Sequence, residues 1–312
     1  MKIKLYVNKI SSKLIIKLLS YHKVNKGDFS YYNYFEKWQK QGVNIFPNHF
    51  YQPIPDLSTL SKKDLAPKTK ILGVKMREEE QLKLLKNIFP KFKKEYLKFT
   101  DQEVSLPYKF RFGNLAYDWI DALVYYCMIR EFKPKRIIEI GSGWSTKIAA
   151  EAVLRNNNTT LTSIEPYPYD YLQRGFPGFT KLIKKKIQDV KLEIFEQLEA
   201  NDILFIDSSH TVKAGGDVNH IFFEILPRLK KGIIIHFHDI FFTNDYPPNW
   251  ITKEYRFWNE QYLLQAFLMY NDSFEVLFSN SYMTERYPKE IKKTFHNSQL
   301  KAGGFWMRKV KD

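Results

Sequence analysis

From Pro134 onward the chain alternates short apolar runs with longer amphipathic stretches, and no other feature constrains the fold as much. Strands are predicted over 136–140, 160–165 and 203–207, with a weaker one over 182–187. Further strands are predicted over 232–237, 274–278 and 305–308, and helices over 145–155, 217–229 and 258–270. Runs that are nearly all apolar suit strands covered on both faces. Strand and helix alternating at this spacing predict an α/β fold with a mostly parallel sheet. Ligands of such sheets bind beyond the carboxyl ends of the strands, so chemistry is expected where the strands end.

Ahead of that pattern the composition changes. Residues 1–100 hold 21 Lys and Arg against 8 Asp and Glu, and the remaining 212 hold 28 against 26. The chain therefore divides into a basic, aromatic-rich N-terminal extension (1–105) and a near-neutral domain (106–312). A basic extension suits an anionic partner, but a solvated lysine-rich face is the plainer reading. No recognised nucleic-acid motif accompanies the charge. Leu14, Ile15, Ile16, Leu18 and Leu19 fit one side of an amphipathic helix that packs on the protein itself. The segment Asn48-His49-Phe50-Tyr51-Gln52-Pro53-Ile54-Pro55-Asp56 is expected to be rigid and extended, because each proline biases its predecessor away from helix. Leu82, Leu85 and Ile88 give helical spacing within 76–100, with a break or kink at Pro90. Residues 115–131 read as a strong helix with Trp119, Leu123 and Tyr126 along one side. The single cysteine, Cys127, forms no intrachain disulfide and reads as an inert core thiol. With no cleavable leader and no apolar run near the ~18 residues of a membrane helix, the expected location is the cytoplasm.

The strand ends form a consistent set. The first runs Glu139-Ile140-Gly141-Ser142-Gly143-Trp144-Ser145. Its glycines let the backbone approach a ligand, and the following helix offers free N–H groups. The dinucleotide fingerprint needs a third glycine where this chain has Thr146. Glu139 would repel a pyrophosphate and attract a cation. Glu165 ends the second strand, where an acid can accept both hydroxyls of a ribose; a simple loop start is the alternative. Asp189 follows the third strand and can accept from an adenine amino group, or cap a helix over 191–200.

An acid before a Gly-x-Gly turn, an acid ending the second strand and an acid after the third describe a site for an adenosine that carries positive charge. In this the chain resembles the class I S-adenosylmethionine-dependent methyltransferases over roughly residues 105–310. It is similar to a subset whose fourth strand ends D-x-x-H (Asp207, His210) and whose fifth ends H-D (His238, Asp239). Asn114, Asp121-Ala122, Tyr125-Tyr126 and Met128-Ile129-Arg130 match a helix familiar from that subset. The resemblance implies a Rossmann-like seven-stranded sheet with helices on both faces, its last strand antiparallel, and an N-terminal helical extension. It also implies S-adenosylmethionine held by Glu139, Gly141, Ser142, Gly143, Glu165, Asp189 and Asp207.

Catalysis is expected from His210, His238 and Asp239. Neighbouring strands lie about 4.8 Å apart, so these groups and Asp207 can converge. A hydroxyl acceptor must lose a proton. His210 or His238 suits a general base, while a divalent metal on Asp207 and Asp239 is the other route. His238 stands where related enzymes carry an acid, which weakens an all-oxygen metal site. His236 and His220 read as satisfied structural histidines, and Asp217 as an acid complementing a helix dipole. The expected activity is methyl transfer to oxygen of a small molecule or glycan, with the extension as cap or homodimer element and an anionic acceptor. A non-catalytic binding protein on the same sheet is the rival. A nicotinamide-dependent oxidoreductase would want the third glycine and no acid at position 139.

Overall fold

The structure is a computed structural model that describes residues 14, 17, 35–46, 48–61, 63–65, 71–99, 105–296 and 302–312. Two compact units are present, 1–64 and 65–312. In the first, a helix spans Phe35–Lys40 and the Phe35 ring lies 5.3 Å from that of Phe46. The segment expected to be extended bends instead, because the Gln52 N–H donates to the His49 carbonyl (2.9 Å) and closes a turn ahead of the first proline. Of the amphipathic stretch at 14–19, only Leu14 and Lys17 fall within the described residues.

The second unit is built on a seven-stranded sheet: β1 (Arg136–Ile140), β2 (Thr160–Ile164), β3 (Lys181–Ile183), β4 (Ile203–Ile206), β5 (Ile234–Phe237), β6 (Phe274–Ser279) and β7 (Phe305–Lys309). Their order is β3-β2-β1-β4-β5-β7-β6. Strands β1 to β5 are parallel, and β7 runs antiparallel to both β5 and β6. The weak third strand is short and begins at Lys181, one residue earlier than its apolar run suggested. Period-two alternation sorts the strand side chains into two cores. Ile137, Phe205 and Ile234 face one, while Ile138, Leu204 and Ile235 face the other.

The first core lies under α1 (Trp119–Phe132) and α2 (Trp144–Asn156). Asp118 caps α1 by accepting from the Trp119 N–H at 2.9 Å. Every residue of α1 from Ile120 to Ile129 is buried, so the helix has no wet side. The second core is covered by the helical run Asp217–His220, Ile221–Ile225 and Leu226–Arg228 and by α3 (Glu260–Leu268).

The boundary drawn in the sequence at 105 falls inside this second unit. Leu85, Phe89 and Tyr96 are buried in the core that holds α1. They belong to a run of Glu78–Lys83, Leu84–Ile88, Phe89–Phe92 and Lys93–Tyr96. Pro90 does not end this helical path, because it enters at the start of the third segment, where its missing N–H costs least. Two helices that the sequence did not reveal, Asn280–Arg286 and α4 (Pro288–Phe295), lie between β6 and β7. Among the described residues no helix is long and apolar enough to cross a membrane.

Candidate active site

Strand register puts two rows of side chains on the α1 face at the carboxyl end of the sheet. The lower row is Ser163, Glu139, Phe205, His236 and Trp306, each paired with the next across adjacent strands. One step beyond the strand ends, the ladder continues. Gly141 donates to the Ile164 carbonyl (3.0 Å), Asp207 to that of Ile140 (2.9 Å) and His238 to that of Ile206 (2.9 Å). Glu165, Gly141, Asp207 and His238 therefore stand side by side as an upper row across four strands.

The glycine turn is fixed by contact. Gly141 has φ +89°, and a Cβ there would lie 2.3 Å from the Asp207 carbonyl oxygen. Only glycine lets β1 and β4 stay paired at this level. A Cβ at Gly143 would meet open space. The Gly143 N–H donates to Thr146 Oγ1 at 3.1 Å, and the Thr146 hydroxyl also supports Glu139. The residue in the third-glycine position thus ties the turn to the acid beneath it. Glu139 is fully buried and accepts from Ser163 Oγ (2.9 Å) and Tyr125 Oη (3.2 Å). Burial pushes its carboxyl up to about 7 against the pull of these hydroxyls.

The D-x-x-H and H-D residues converge. His210 Nε2 lies 3.2 Å from Asp207 Oδ1 and 3.8 Å from Asp239 Oδ2, and its Nδ1 is 2.8 Å from Glu260 Oε2. The other Glu260 oxygen accepts from Ser208 Oγ at 2.9 Å. Burial opposes charge on His210, but the hydrogen bonds to Asp207 and Glu260 win and lift it well above 6.5. Burial alone would raise Asp207; the His210 hydrogen bond and the His238 charge hold it lowered. His238 is buried, with Nε2 3.6 Å from Asp239 Oδ1 and no partner for Nδ1 among the described residues. Burial disfavours its charge, yet Asp239 and Asp207 raise it above its ordinary value. Asp239 is raised by burial despite both histidines. His210 and Asp239 both hold φ +56°, a left-handed backbone that costs energy in a residue with a Cβ.

Other residues sit apart from this cluster. Glu165 is half-buried, with Oε1 accepting from the Tyr167 N–H at 2.8 Å. Asp189 is exposed at the end of a single turn, Ile187–Asp189, and is not a helix cap, because the next helix, Glu193–Glu196, is capped from Leu192. His236 is a core histidine, but it is not satisfied. Both ring nitrogens lack partners among the described residues, and burial holds it well below 6.5. His220 likewise leaves Nε2 without a partner. Asp217 accepts from Ser209 N–H and Oγ (2.8 and 2.6 Å), bracing the loop that carries His210. Burial pushes the Cys127 thiol well up, as an inert core thiol requires.

Residues 138–240, which contain the upper row and all of the lower row except Trp306, match the family model of a methyltransferase domain. An uncharacterized protein of Archaeoglobus fulgidus is 36% identical over 182 residues, which are 54% of this chain and 80% of that protein. Residues 138–240 carry a methyltransferase domain, on the seven-stranded fold of the class I S-adenosylmethionine-dependent methyltransferases. Among solved structures the chain is similar to the Podospora anserina methyltransferase PaMTH1 bound to SAH (19% identity, 61% of this chain and 78% of that one, TM-score 0.40). It is also similar to the O-methyltransferase TomG of Streptomyces achromogenes with SAM (12% identity, 64% and 83%, TM-score 0.39).

The turn of this methyltransferase fits a ligand, since Ser142 Oγ is buried with no partner among the described residues and Gly143 faces open space. The donor set at Asp207 and Asp239 does not fit a divalent ion. The His210 ring lies between the two carboxylates, 3.2 Å from one and 3.8 Å from the other, and among the described residues no group of three His, Cys, Asp or Glu side chains is arranged to hold a metal ion.

Three site residues escaped the sequence reading. Glu260 locks His210, yet in the sequence it looks like any acid opening a helix. Tyr117 is buried with its ring 4.8 Å from that of His238 and its hydroxyl without a partner among the described residues. Lys147, in the first turn of α2, lies 3.5 Å above the Trp144 ring, and burial lowers it to about 8. Only the Asn114 motif hinted at Tyr117. Asn114 Oδ1 accepts from the Ala116 and Tyr117 N–H groups and shapes the turn that presents that ring.

Proposed function

We propose that the enzyme methylates a hydroxyl oxygen of a small-molecule or glycan acceptor, with His238 as general base. The observation that carries this reading is the upper row, with Glu165, Gly141, Asp207 and His238 in register above the buried Glu139. S-adenosylmethionine supplies an electrophilic methyl group on a sulfonium. Glu165 would hold its ribose hydroxyls and Asp189 its adenine amino group. Gly141, Ser142 and Gly143 would let the backbone approach, and Glu139 and Asp207 would favour its positive charge. His238 would take the acceptor's proton as its hydroxyl oxygen accepts the methyl group. Asp239 beside it stabilises the resulting imidazolium. His210, with Nε2 engaged by Asp207 and Nδ1 by Glu260, holds those carboxylates in place rather than acting as a base. The basic N-terminal third favours an anionic acceptor. A lone cysteine accords with the reducing cytoplasm.

Calorimetric titration with S-adenosylmethionine tests the reading. Wild type should bind at micromolar concentration, and Glu165→Ala should bind at least tenfold more weakly through loss of the ribose contact. Folded wild-type protein that shows no binding would overturn it.

A further inference from the structure

Away from the crevice, a cleft of about 620 Å³ opens between the helical run Glu78–Lys83 to Lys93–Tyr96 and α4. That volume is ordinary for a small-molecule site. Lys86 and Lys93 line one wall, and Lys289 and Lys293 the other. Among the described lining residues Glu290 is the lone carboxylate, and it lies 3.7 Å from Lys86 Nζ. Lys93, Lys289 and Lys293 have no carboxylate within ion-pair distance among the described residues.

Without a counter-ion these like charges repel one another. Lys289 and Lys293 are one turn apart on α4, where like charges repel. Lys93 is half-buried, so less water screens it. The walls cannot drift apart to relieve the repulsion. Tyr96 Oη donates to the Thr294 carbonyl at 2.6 Å, and Thr294 Oγ1 donates to the Leu85 carbonyl at 2.9 Å. Both bonds are buried and pin one wall to the other. Pro90 and the lysine stems add apolar surface below the ammonium groups.

We propose that this cleft binds the diphosphate group of a small molecule. Four ammonium groups against one carboxylate leave an excess of three positive charges, close to the charge of a diphosphate at neutral pH. Several phosphate oxygens can accept from several lysines at once. The proposal does not rest on the methyl-transfer reading, because no cleft residue belongs to the crevice.

Inorganic pyrophosphate is the probe, since it carries no adenosine to occupy the crevice. Calorimetry on the full chain in low salt should show one site with a dissociation constant in the range of tens of micromolar, unchanged by saturating S-adenosylmethionine. The double variant Lys289→Gln/Lys293→Gln should bind at least tenfold more weakly. Both side chains are exposed and mutually repulsive, so this variant should melt no lower than wild type. A control that removes the same charge elsewhere, Lys185→Gln/Lys186→Gln, should bind like wild type. Absent binding, equal binding by the cleft variant, an equal loss in the control, or displacement by S-adenosylmethionine would each overturn the proposal.

Discussion

Glu139 carries two opposed demands. Its charge suits a cationic ligand, but its burial favours the proton and moves the carboxyl up to about 7. In the unfolded chain the same group releases its proton near 4.5. Between these values the folded state binds more protons than the unfolded one, so this group erodes stability as pH rises through that window. The full cost, roughly 3 kcal/mol at about 1.4 kcal/mol per pKa unit, is present above pH 7. Glu139→Gln should therefore gain stability relative to wild type between pH 5 and pH 8, read from urea unfolding at each pH. A gap independent of pH would contradict the assignment. Gly141 gives a simpler test. A methyl group there meets the Asp207 carbonyl oxygen in a backbone that already disfavours L residues. Gly141→Ala should lower stability by about 3 kcal/mol or more and abolish S-adenosylmethionine binding.

At the scale of elements, α1 shows how one stretch of sequence divides into separate physical tasks. Tyr125 reaches Glu139 across the sheet face. Tyr126 Oη and Arg130 Nε both donate to Glu95 (2.7 and 2.8 Å), which joins α1 to the helical run before it. Asp118 caps the helix and also accepts from the Gly113 N–H at 2.9 Å, holding the loop that carries Asn114. Asp118→Ala removes the side-chain acceptor of two backbone N–H groups and should cost about 1–2 kcal/mol, measurable as a lower Tm. The helix itself was plain in the sequence, over 115–131, from apolar residues spaced along one side, and it spans Trp119–Phe132. Its burial on every side was not, because the segment that covers its outer face, around Phe89 and Tyr96, lies some 30 residues earlier and looked like part of a separate extension.

At the scale of the whole molecule, Asp121 joins the beginning of the domain to its end. Its carboxylate accepts from the Gly303 N–H (3.0 Å), the Gly304 N–H (2.8 Å) and Asn280 Nδ2 (2.7 Å), all buried. These bonds fix the approach to β7, which closes the sheet beside β5. Asp121→Ala would leave three buried donors unpaired and should destabilise by about 3 kcal/mol or more in urea unfolding. The sequence by itself determined the parallel sheet, the glycine turn and the acids and histidines at the strand ends. Those are local: a run of apolar residues, a glycine between an acid and a helix, and a period of two each fix their own short segment. Only the tertiary structure decided which groups meet. Glu260 reaches His210 across 50 residues of sequence, His210 comes to lie between two carboxylates where a metal had been an alternative, and the lysines of two distant helices line one cleft. Side-chain convergence of this kind depends on strand order and helix packing, and these arise from burial summed over the whole chain rather than from any one stretch of it.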